Sequence, residues 1–108
     1  MNDRFSELVD SIFTKLECQE KQTKVIIETM LSDIELFDKK QHDYGPGNIA
    51  KFGEYGVLVR TNDKLERLIN LSKRNDEPIN ESVIDTWQDL SIYGAIARVV
   101  RNKEWYSQ

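Results

Sequence analysis

Apolar positions recur along this chain with helical periodicity, in segments separated by polar or glycine-rich breaks. Phe5, Leu8, Val9, Ile12, Phe13 and Leu16 follow the i, i+3, i+4, i+7 spacing of an amphipathic helix over residues 3–19, which Asn2 or Asp3 can cap. The polar run Glu17 to Lys24 interrupts the stripe. It resumes at Val25, Ile26, Met30, Ile34 and Phe37, predicting a second helix over about 22–41, with one long bent helix as the rival reading. Asp43-Tyr44-Gly45-Pro46-Gly47-Asn48 ends that helix, because glycine supplies left-handed backbone angles and Pro46 cannot donate to a continuing ladder. A third helix is expected from Gly53 or Tyr55 to Lys73, with Leu58, Leu65, Leu68, Ile69 and Leu71 inward, or restarting at the Asp63-x-x-Glu66 capping signature. A fourth, capped by Asn80, covers 81–104 and is apolar nearly all round its middle, as expected of a helix buried on more than one face. Val57-Leu58-Val59 has no second β-rich run to pair with. The fold class is therefore all-α: a bundle of four helices with a glycine-rich loop between the second and third.

At 108 residues the chain holds one modest core, so self-association is expected to complete it. The N-terminal helix, residues 1–24, is the expected oligomerisation element, and 25–108 the remaining helical domain. The net charge of −4 argues against binding to duplex DNA or RNA. Its distribution is uneven: residues 1–37 sum to −4, residues 60–74 to +3 and residues 75–97 to −5. A basic patch thus survives inside an acidic protein. The single cysteine, Cys18, excludes an internal disulfide and has no histidine nearby in sequence to make it a nucleophile. No apolar run approaches the ~18 residues of a membrane span, so the expected setting is the cytoplasm of a bacterial host cell, away from membrane.

The stretch from His42 to Arg67 concentrates the candidate chemistry. It holds four of the five glycines, the only histidine and the cations Arg60, Lys64 and Arg67, whose i, i+4, i+7 spacing puts them on one helix face. Such a turn feeding a basic helix suits a phosphate, although no named phosphate loop is present. Further along, Glu81, Asp85 and Asp89 share a stripe that Ile92, Ile96 and Val99 continue, so the acids point where the core points. Ionised carboxylates there need partners. Two are available: the cationic stripe, forming an interior salt-bridge network, or a divalent ion such as magnesium held by Glu81, Asp85 and Asp89 with Glu66 or Asp63. No cofactor is required in the first case.

His42-Asp43-Tyr44-Gly45, then Arg60 and Asp63-Lys64-x-x-Arg67-Leu68, then Glu81-x-x-x-Asp85-x-x-x-Asp89-Leu90-x-x-Tyr93 resemble the nucleotide modification associated domain 1 family of phages and bacteria over residues 30–100. More distantly, the chain is similar to the MazG-like all-α nucleoside triphosphate pyrophosphatases, whose magnesium sites use an E-E-x-x-E helix and an E-x-x-D helix. The first of those patterns is replaced here by Asp63-Lys64-Leu65-Glu66-Arg67, with cations where the enzymes carry acids. The resemblance implies a homo-oligomeric nucleotide-binding module, serving DNA-base modification or sequestering a nucleotide immune signal. His42, Asp43, Tyr44, Gly45, Asn48, Arg60, Lys64, Arg67 and Tyr93 are its expected ligand contacts. The alternative is a magnesium-dependent pyrophosphatase with Glu81, Asp85 and Asp89 as catalytic and metal-binding residues.

Overall fold

The computed structural model describes residues 3–107. A 3-10 turn, Asp3–Phe5, precedes four helices: α1 (Ser6–Lys15), α2 (Lys21–Tyr44), α3 (Gly47–Ser72) and α4 (Val83–Arg101). Among the described residues there is no strand, and no helix is long and apolar enough to cross a membrane. The cap expected from Asn2 lies outside the described residues, and the N-cap position of α1 is Phe5, which makes no side-chain cap bond.

The rival single bent helix over the first forty residues is not what forms. At the end of α1, Glu17 adopts φ 55°, its N–H bonds Thr14 O at 3.0 Å, and the Cys18 N–H bonds Phe13 O at 3.0 Å. These paired bonds satisfy the last carbonyls and turn the chain. The same device closes α4, with Lys103 at φ 60° and bonds from Lys103 N to Val100 O and from Glu104 N to Val99 O.

The chain divides into two compact units, one ending at Asp38 and one starting at Lys39, so the division falls inside α2. In the first, α1 runs back along α2: Arg4 pairs with Glu35, Lys24 with Asp10 at 3.3 Å, and the Lys24 ammonium lies 5.0 Å from the Phe13 ring centroid. Phe5, Val9 and Asp33 are buried.

The second unit is built on α3 and α4, which pack antiparallel along their lengths. Arg101 grips Glu54 with two bonds of 2.9 Å at one end, while Arg67 meets Thr86 at the other. Its buried residues are Ile49, Val57, Thr86, Asp89 and Ile96. The glycine-rich stretch is condensed into a short break. Asp43 and Tyr44 are still helical, Gly45 takes φ 71°, Pro46 is the N-cap position of α3, and Gly47 is already in the helix. A second discontinuity is inside α3, where Gly53 has φ 61° and ψ −151°. From there to Ser72 the helix runs unbroken through Asp63, so the capping signature at Asp63 starts nothing.

Two expectations about faces are corrected. In α3 the residues expected inward, Leu58, Leu65 and Ile69, are 61%, 46% and 40% exposed, and the face toward α4 is Val57 with Arg60, Lys64 and Arg67. That face meets Glu81, Thr86 and Asp89, where ionised carboxylates turned toward the core need cationic partners. In α4 the inward line is Thr86, Asp89 and Ile96, all buried, with Tyr93 and Val100 half-buried, leaving Trp87, Ser91, Gly94 and Arg98 on a solvent face instead of burying the helix all round. Its cap is Ser82, in extended conformation with its hydroxyl accepting from the Asp85 N–H at 3.1 Å, two residues beyond the expected Asn80.

Candidate functional site

The turn of chain before α4 and the first two turns of that helix carry two carboxylates and a buried hydroxyl that face the cationic side of α3. Lys64 sits between them. Its Nζ donates to Glu81 Oε1 at 2.8 Å and lies 3.0 Å from Asp89 Oδ2. Lys40, in the penultimate turn of α2, donates to the other Asp89 oxygen at 2.8 Å. Arg67 donates from Nη1 to Thr86 Oγ1 at 2.7 Å and from Nη2 to the Glu81 carbonyl. The Thr86 hydroxyl passes its proton toward Glu81 Oε2 at 2.5 Å. Thr86 is fully buried, and the Asp89 side chain is 11% exposed.

Electrostatics follow from that geometry. Burial by itself raises the Asp89 carboxyl, but hydrogen bonds from Lys40 and Lys64 outweigh it and hold the group below its ordinary value. Glu81 behaves likewise, with Lys64 and Thr86 overcoming desolvation. Burial lowers Lys40 and Lys64, yet the facing carboxylates leave both raised. The Tyr93 phenol is pushed up, first by burial and then by the Asp89 charge, against the pull of Lys64, Arg60 and Lys40.

These shifts predict a stability profile. Depressed carboxyls contribute above their unfolded value near pH ~4 and lose that contribution as pH falls through the folded value. Raised lysines contribute below their unfolded value near pH ~10.4 and lose it as pH rises through the folded value. Urea unfolding across the pH range is expected to give a plateau between about pH 5 and 9 with a decline on either side. Stability that climbs beyond either edge would contradict the network.

Of the residues expected from sequence, the fold brings Arg60, Lys64, Arg67, Glu81, Asp89 and Tyr93 to one region. Arg60 lies one turn before Lys64, has no ion pair among the described residues, and reaches the Asn48 carbonyl at 3.4 Å. Asn48 Oδ1 is buried without a hydrogen-bond partner. Three others stand apart: His42, Asp43 and Tyr44 are exposed at the end of α2, with Tyr44 at 69%. Asp85 is exposed, and Glu81 precedes α4, so the three acids do not form one helical stripe. Among the described residues no three His, Cys, Asp or Glu side chains converge on a point where they could hold a metal ion. The compensation for the buried acids is cationic.

Lys40 and Thr86 were not singled out by sequence. Lys40 carried no signal there, being one lysine among polar neighbours. Thr86 did carry one, since Thr86, Asp89, Tyr93 and Ile96 have 3-4-3 spacing that ends in a core residue. Replacing Thr86 by Val keeps the shape but leaves Arg67 and Glu81 each short of a partner. Its expected cost is about 1–3 kcal/mol, read by urea unfolding, with Thr86→Ser largely restoring stability.

No family profile, curated protein or solved structure matches this chain. Whatever function is assigned rests on the cluster itself.

Proposed function

We propose that this chain is a nucleotide-binding module that holds a nucleotide or nucleotide-derived signal intact through its phosphates. The observation that carries the reading is a charge imbalance. Three cations, Lys40, Lys64 and Arg67, engage two carboxylates, Glu81 and Asp89, and a fourth, Arg60, one turn before Lys64, acts on the adjoining Tyr93 without a carboxylate of its own. Two positive charges are left over in a half-buried setting, where an anion is attracted more strongly than in bulk water. Arginine supplies a planar fork that suits phosphate oxygens, and Arg60 has no carboxylate to release first. Tyr93 offers a half-buried ring for a base to pack against.

The family that the sequence motifs resemble, nucleotide modification associated domain 1, would set such a module to DNA-base modification or to sequestering a nucleotide signal. A magnesium-dependent pyrophosphatase draws less support. Its water-activating metal needs free carboxylates, and here Lys64 engages both Glu81 and Asp89 while Asp85 points to solvent.

The test is chromatography of a nucleotide panel, including cyclic and ADP-ribose-type compounds, incubated with protein and magnesium and then released by heat. A bound nucleotide is expected to leave the free pool and return unchanged. Arg60→Ala, Lys64→Ala and Arg67→Ala are each expected to weaken retention by about 10–100-fold, the worth of a charge-assisted hydrogen bond. Arg60→Ala is the cleanest, because it breaks no ion pair. Return of a monophosphate plus pyrophosphate would make the chain an enzyme; depletion of nothing in the panel would end the proposal.

A further inference from the structure

The outward face of α3 carries a pattern that neither the cluster nor the core uses. Tyr55, Leu58, Asn62, Leu65 and Ile69 are spaced 3, 4, 3 and 4 residues apart. All five are exposed, the apolar four by 74%, 61%, 46% and 40% in chain order. They begin directly after the Gly53 discontinuity and fill the regular part of the helix. Arg60, Lys64 and Arg67 occupy the opposite side, facing α4. A 3-4 repeat of apolar residues on the solvent side of a helix is the seam of a coiled coil awaiting a second strand.

We propose that a second copy of this chain covers the seam, α3 against α3, parallel and in register. Three features select that occupant. Asn62 is the lone polar member, at an a position between Tyr55 and Ile69. Against a foreign apolar helix its carboxamide would be buried unpaired, whereas against its own copy one amide donates to the carbonyl of the other. Leucine at both d positions, Leu58 and Leu65, with β-branched Ile69 at a, is the combination that favours two parallel strands. The area reaches the lower limit: Tyr55, Leu58, Leu65 and Ile69, with the flanking Val59, at their exposures offer about 500 Å² per copy, so a pair that covered them fully would remove at most about 1,000 Å², the floor for a specific interface. The pairing leaves the cationic side of each α3 turned away from the dimer axis, so each copy keeps a whole cluster.

Sedimentation equilibrium of the full chain at micromolar concentration is expected to give twice the 12.6 kDa chain mass. Leu65→Asp, at an exposed position, is expected to give the monomer mass with unchanged helical circular dichroism. Orientation is read by cysteine pairing: in a Cys18→Ser background, Leu65→Cys is expected to form an intermolecular disulfide under mild oxidation, because identical d positions meet only in a parallel, in-register pair. A wild-type monomer, a dimer that survives Leu65→Asp, or a Leu65→Cys protein that stays reduced would each overturn the proposal. Phosphate-dependent retention by Leu65→Asp reports on the cluster separately, so failure of one idea does not carry the other with it.

Discussion

Asp89→Asn is expected to destabilise the chain by about 2–3 kcal/mol, a fall in Tm of roughly 10–20 °C for a protein of this size. Among the described residues Asp89 is the one group that pairs with both Lys40 and Lys64, and it does so with a separate oxygen for each. The amide keeps one acceptor and offers an N–H where the second lysine approaches. Two ammonium groups then face each other across an uncharged residue, Lys64 at 22% side-chain exposure and Lys40 at 43%. Water reaching Lys40 keeps the cost below that of a fully enclosed pair. The variant is also expected to flatten the decline of stability at both acid and alkaline pH, since one carboxylate underlies shifts of both signs. Adding Lys40→Met to Asp89→Asn should recover part of the loss, because Lys40 has no other ion-pair partner among the described residues and removing both partners of a buried pair costs less than removing one. Thermal unfolding of the two variants in parallel checks both points; a single Asp89→Asn protein as stable as wild type would mean the cluster is solvated in solution.

Gly53→Ala carries the second large effect. The backbone there, φ 61° and ψ −151°, belongs to a region that L-residues avoid, and a Cβ built on it meets no atom within 4 Å. The penalty is thus conformational and not steric crowding, and is expected at about 2–3 kcal/mol. The alternative for the mutant is to straighten α3, which pulls the Gly47–Phe52 turn and its buried Ile49 away from the packing that holds them. Mirror inversion turns these angles into ordinary extended backbone, so D-alanine at position 53, introduced by semisynthesis, is expected to fold as stably as glycine or better. Equal loss with L- and D-alanine would show that something other than backbone handedness is at stake.

The helices were legible because period and punctuation agreed: the 3.6 spacing in residues 3–41 and 81–104, and Gly45-Pro46 between α2 and α3. Endings were less so. Glu17 and Lys103 turn the chain in a left-handed conformation usually marked by glycine, and nothing in those residue types announces it. Within the site, periodicity identified the cationic face of α3 and offered its pairing with the acid line of Glu81, Asp85 and Asp89 as one of two alternatives, a divalent ion being the other. The same reasoning misassigned the apolar face of α3, because hydrophobic spacing says which residues share a side and is silent on whether that side meets its own chain. Asp85 was grouped with its neighbours on helical spacing that Glu81, lying before α4, does not obey. Lys40 entered from a third helix, a contact 49 residues distant from its partner that no local pattern encodes.

The Trp105 indole donates to the Pro46 carbonyl at 3.1 Å, across 59 residues. That bond ties the stretch after α4 to the break before α3, so it can form only once the whole α3–α4 hairpin has come round. Trp87, 57% exposed, sees water throughout. In stopped-flow refolding, the change in Trp105 emission is therefore expected to report the closing of the α3–α4 hairpin from end to end, a long-range event that ellipticity does not single out.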